Sequence, residues 1–91
     1  MFNIVVYYDL DSTSIYGKFD FKNDFLNDLP IQLKTFTKDQ AINVRYKKQL
    51  KKMGFDDNKI EYYFYEILEW NKRTLYYFID INKNIVYFAS E

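Results

Sequence analysis

Apolar and polar positions alternate with period two at both ends of the chain. Phe2, Ile4, Val6, Tyr8 and Leu10 alternate with Asn3, Val5, Tyr7 and Asp9, the pattern of a strand with one strongly apolar face. D-S-T-S at 11–14 is turn chemistry. Ile15, Gly17, Phe19 and Phe21 then alternate with Tyr16, Lys18, Asp20 and Lys22, which predicts a second strand and an N-terminal hairpin. A glycine inside a strand, Gly17, marks a bulge or a close approach of another backbone. Thr74 to Ile81 and Ile85 to Ala89 repeat the alternation around N-K-N at 82–84, which predicts a C-terminal hairpin.

The middle of the chain changes period. Ile42, Tyr46, Leu50 and Met53 fall within one narrow arc at helical spacing, and Arg45, Lys47, Lys48, Lys51 and Lys52 occupy the remainder. Thr37 and Gln40 have the spacing of a capping box. Gly54 stands where a left-handed residue closes a helix, and Phe55 stands where it would touch Leu50 in a Schellman ending. Asp56 is a good cap for a second helix, with Phe55 stapled to Ile60. The stretch E-Y-Y-F-Y-E-I-L-E-W is rich in strand formers. Helical spacing nevertheless gathers Glu61, Glu66 and Glu69 on one side, opposite Ile60, Tyr63, Phe64, Ile67, Leu68 and Trp70. Period two scatters those glutamates over both faces, so the pattern predicts a second helix over 56–70.

The expected fold is therefore α+β: a two-layer single domain over 1–91, with one mostly antiparallel sheet of four or five strands. A helical hairpin, 37–53 and 56–70, packs on one sheet face. N-D-F-L-N-D-L-P at 23–30 reads as a single helical turn stopped before Pro30, and I-Q-L-K-T-F at 31–36 as a short further strand. Aromatic residues on both strand faces suggest that the second sheet face is covered by a partner or by another copy.

Composition narrows the chemistry. The chain of 91 residues has no Cys and no His. That removes disulfides, thiol nucleophiles, Cys-based zinc sites and the commonest general base and metal ligand. Two glycines, Gly17 and Gly54, cannot build a phosphate-cradling loop. No apolar run approaches the roughly 18 residues of a membrane span, and no basic start marks a signal peptide, so a cytoplasmic protein without a membrane role is expected. The 13 basic and 13 acidic residues cancel but are unevenly placed. Residues 31–53 carry seven basic residues and one acidic, and residues 54–70 carry five acidic and one basic. Mutual attraction between the two segments accounts for most of that asymmetry.

V-V-Y-Y-D-L-D-S-T at 5–13 resembles the first motif of haloacid-dehalogenase-type phosphatases. The resemblance implies Asp9 as nucleophile, Asp11 as acid/base and a bound Mg²⁺. It covers nine residues, and the family requires a parallel doubly wound sheet, a later Lys and a further acidic pair, a frame this chain lacks the βαβ units to build. A strand ending in an Asx turn is the simpler reading. The basic helix face suits a phosphate backbone, but the glutamates of the second segment would face a DNA groove with the wrong sign.

The tyrosines carry more weight. Tyr62 and Tyr65 on the glutamate side, with Glu66 and Glu69, and the neighbouring Arg45, Lys48 and Lys52 form the expected partner-binding surface, because interface centres are enriched in aromatics. The sequence thus points to a non-catalytic protein-binding module without metal or cofactor, of the kind found among small inhibitors, immunity proteins and phage or plasmid anti-defence factors. Its partner is another protein or a second copy. A nucleic-acid-binding protein using the basic face of helix 37–53 is the alternative.

Overall fold

The computed structural model describes residues 2–9, 14–22, 34–37, 46–69 and 72–90. Among them lie six strands: β1 Phe2–Asp9, β2 Ser14–Asp20, β3 Lys34–Thr35, β4 Tyr62–Ile67, β5 Thr74–Asp80 and β6 Ile85–Ser90. One short helix, α1 Lys47–Lys52, and a 3₁₀ turn at Asp57–Lys59 complete the described elements. All strand pairs are antiparallel, and the order across the sheet is β1-β2-β6-β5-β4-β3.

The N-terminal and C-terminal hairpins form as expected and lie side by side, with β2 paired to β6. The C-terminal turn closes where Asn84 takes a positive φ of 56° and Asp80 accepts a hydrogen bond from the Lys83 amide at 3.1 Å. The short strand within 31–36 is present as β3.

The helical hairpin is absent, which corrects the α+β expectation to a mostly β fold. Residues 62–67 form β4, paired with β5 on one side and β3 on the other. Charge segregation was the wrong criterion there, because a sheet can hold carboxylates on a half-buried strand if each finds a donor. Glu61 accepts from the Ile81 amide at 2.9 Å, and Glu66 accepts from the Tyr77 hydroxyl at 2.8 Å. With the charges satisfied, the β-forming run Y-Y-F-Y follows its propensity.

Of the first expected helix, 37–53, the described residues contain α1. Thr37 is not helical, and Tyr46 breaks the pattern with a left-handed φ of 68°. The remainder of that expectation, including Gln40 of the capping box and Ile42, falls on 38–45, outside the described residues, as does the helical turn at 23–30.

The junction after α1 follows the sequence closely. The Phe55 amide donates to the Leu50 carbonyl at 3.1 Å and the Gly54 amide to that of Lys51 at 3.1 Å, the two bonds of a Schellman ending. Gly54 takes φ 104°. Asp56 caps the 3₁₀ turn through the Asn58 amide at 2.9 Å. Attraction between the basic and acidic segments is realised at Asp57, which lies 2.7 Å from the Lys47 ammonium and 3.7 Å from that of Lys51.

The sheet is buried on both faces at its centre. Leu50, Phe55 and Ile60 pack onto Phe78, Tyr87 and Ala89 on one face. Phe19, Phe21, Leu75, Ile79, Val86 and Phe88 form the core of the other. Ile79 and Val86 are each 1% exposed, so the centre of this second face is buried within the chain itself.

Candidate functional site

The seven residues expected to bind a partner are not gathered on one surface. Register places Tyr62 and Glu66 on the sheet face that carries Ile79 and Leu75, and Tyr65 on the opposite face with Tyr76. Tyr62 is exposed and stacks on Phe64, with ring centroids 6.1 Å apart. Tyr65 lines an open cleft of about 270 Å³ with Thr35, Phe36, Thr74 and Tyr76. Glu66 is taken up by Tyr77, whose pKa is raised by burial, by that hydrogen bond and by the carboxylate's charge. Glu69 is exposed in the turn after β4. Lys48 and Lys52 are exposed on α1, and Arg45 lies outside the described residues.

Phe36, which the pattern of 31–36 does not single out, is the hub beside Tyr65. Its ring meets Tyr63, Tyr65, Tyr76 and Phe78 edge-on at 5.2–6.1 Å. Edge-to-face geometry of this kind adds to burial and makes the Tyr65 side of the sheet a packed region as well as a cleft wall.

A different surface concentrates the exposed apolar area. Ile4, Val6, Tyr7 and Tyr8 are 53, 48, 49 and 64% exposed, and among the described residues the other exposed large apolar side chains are Tyr62 and Ile67. All four belong to β1, at one edge of the sheet. The apolar face of β1 is thus largely exposed at Ile4, Val6 and Tyr8, because an edge strand has a neighbour on one side only, and Tyr7 on its other face is half exposed as well. The sequence signal was available. Val5 and Tyr7 make the nominally polar face apolar too, and Asp9 is the single charge of F-N-I-V-V-Y-Y-D.

Two features hold β1 in place. Gly17 faces Val6, and a Cβ there would run into the Val5 carbonyl and the Phe88 ring. This is the close approach its position suggested. At the far end, the Tyr46 hydroxyl donates to Asp9 at 2.7 Å. Tyr46 in turn stacks on Tyr16 at 4.7 Å, and Tyr16 on Tyr7 at 5.3 Å. This ladder of three rings ties the edge strand to the start of α1. Beside it, Tyr7, Tyr16, Gln49, Lys52 and Met53 line a second open cleft of about 250 Å³. The structure therefore does bring Lys52 beside an exposed aromatic, though this is Tyr7 of β1 rather than Tyr62 or Tyr65.

The phosphatase-like reading does not fit this setting. Asp9 ends a strand in an antiparallel sheet and is engaged by a tyrosine hydroxyl, and Asp11 lies outside the described residues. No family model, curated protein or solved structure matches the chain. No helix among the described residues is long and apolar enough to cross a membrane.

Proposed function

We propose that this protein is a non-catalytic protein-binding module that docks through its β1 edge. The observation that carries the reading is the concentration of exposed Ile4, Val6, Tyr7 and Tyr8 on one eight-residue edge strand. Edge strands offer a row of main-chain donors and acceptors to an incoming strand, and natural sheets blunt them with lysine, proline or shortness. The opposite edge is blunted in that way: β3 has two residues, Lys34 and Thr35. β1 is long and carries neither lysine nor proline. Strand addition to such an edge draws affinity from main-chain hydrogen bonds and specificity from alternate side chains.

The nucleic-acid alternative has less to work with. Two of the four lysines of α1, Lys47 and Lys51, sit against Asp57, which cancels part of the positive field. Lys48 and Lys52 remain exposed on the helix.

Affinity capture from cells that make the protein tests the reading. Proteins retained by the wild-type chain should be lost with Val6→Lys and kept with the Lys48→Glu, Lys52→Glu double variant. Retention that ignores Val6→Lys but fails with the lysine variant, together with micromolar nucleic-acid binding at about 150 mM salt, would replace it.

A further inference from the structure

We infer that the occupant of the β1 edge is β1 of a second copy, paired antiparallel about a two-fold axis at Val6. The inference rests on the docking reading above and names its partner. β1 is regular only beyond its bulge between Phe2 and Val5, where Asn3 takes φ 51° and donates to Asp20 at 2.7 Å. The window of exposed apolar side chains runs from Ile4, the second residue of that bulge, to Tyr8, and Val6 is its midpoint.

Within that window the strand is self-complementary. With Val6 on the axis, Ile4 stands opposite Tyr8 of the second copy, Val5 opposite Tyr7, and Val6 opposite its own equivalent. Every exposed apolar side chain meets another, and aromatic–aliphatic pairs of this kind contribute to strand pairing. Asp9 falls opposite Asn3, so no like charges meet. Moving the axis to Tyr7 sets Asp9 against Val5, and moving it to Val5 sets the polar, left-handed Asn3 against Tyr7. A slip by one residue would put Ile4, Val6 and Tyr8 of the two copies on opposite faces of the joined sheet. One register thus satisfies the chemistry, and it would join two six-stranded sheets into one continuous sheet. An edge contact of this length is small beside the roughly 800 Å² per partner of a standard interface, so the dimer should dissociate on dilution.

The 91-residue sequence has no cysteine, so single-cysteine variants report the register directly. Directly opposed Cα atoms in an antiparallel pair lie about 4.5–5.5 Å apart, within the roughly 4.4–6.8 Å that a disulfide spans. Under a mild oxidant, Val6→Cys should cross-link at least about tenfold faster than Asn58→Cys on the exposed 3₁₀ turn, because pairing raises the local concentration. A mixture of Ile4→Cys and Tyr8→Cys should cross-link faster than either alone. Sedimentation of the unmodified protein should show a concentration-dependent dimer, abolished in a Val6→Lys variant whose circular dichroism is unchanged. Equal rates for Val6→Cys and Asn58→Cys, or a wild-type monomer at every concentration up to about 1 mM, would overturn self-pairing. If that monomer still loses a captured partner on Val6→Lys, self-pairing falls and the docking reading stands.

Discussion

Three residues show how much a single position decides here. Gly54 was legible, because a helix of lysines with an apolar stripe needs a left-handed residue where it ends, and only Gly takes φ 104° without strain. A Cβ at Gly54 would meet just the Tyr87 hydroxyl, at 3.5 Å, so the cost of Gly54→Val lies in the backbone. We expect about 1–2 kcal/mol lost in urea denaturation, with Gly54→Asn recovering part of it. Gly17 is the reverse case: its backbone tolerates a side chain but its surroundings do not. Gly17→Ala should cost about 1–3 kcal/mol by overpacking and loosen β1, read as faster amide exchange from Val5 to Tyr8. An unchanged exchange rate would mean that the Val5 carbonyl has room to move. Tyr87 could not have been foreseen. Its ring is fully buried, and its hydroxyl finds no hydrogen-bond partner among the described residues. An unsatisfied buried hydroxyl is costly, so Tyr87→Phe should hold or raise stability, by up to about 1 kcal/mol. A clear loss in the denaturation midpoint would show that the hydroxyl is satisfied.

At the scale of elements, both hairpins and the α1–Gly54–Asp56 junction could be read from the chain, because each depends on neighbours in sequence. β4 could not. Whether E-Y-Y-F-Y-E-I becomes helix or strand depends on whether Glu61 and Glu66 find donors, and those donors, the Ile81 amide and the Tyr77 hydroxyl, come from β5 and its turn. No local period reports them. The strand assignment separates two tyrosines that the helix had put together. Tyr62→Ala should change stability by no more than about 0.5 kcal/mol, as for an exposed site. Tyr65→Ala should cost more, since its ring packs near Phe36 and Tyr76. Phe78→Ala sets the upper bound: with no exposure, and with Phe36, Phe55 and Tyr63 edge-on at 5.1–5.9 Å, it should cost about 3–5 kcal/mol. Equal losses at Tyr62 and Phe78 would contradict the register of β4.

For the whole molecule, the sequence conveyed that strands dominate both ends and that aromatics fill the space between them. It did not convey that β6 and β5 lie at the centre of one sheet and β1 at its rim. Strand order is set by non-local pairing, and the apolar alternation of β1 looks the same whether it is buried or at an edge. The central position of β5 and β6 also encloses tyrosines, and this gives the molecule a directional response to pH. Tyr77 is held protonated above its ordinary 10.0 by burial, by its bond to Glu66 and by that carboxylate's charge. Burial comes first for Tyr63 and Tyr87 as well, followed by Asp57 and Glu61 for the former and by Asp80 and Asp20 for the latter. When a folded-state pKa is raised, the unfolded chain gives up its proton first as pH climbs. Stability from these groups is then complete below about pH 10 and declines above it, toward the higher folded values. The urea midpoint should therefore be level from about pH 7 to 9 and fall beyond about pH 10, with tyrosinate absorbance appearing as the chain unfolds. The comparison that isolates the tyrosine is Tyr77→Phe. That variant starts lower, having left Glu66 without its donor, but should decline less steeply with alkali than the wild type. Parallel declines would remove Tyr77 as a source of the pH dependence.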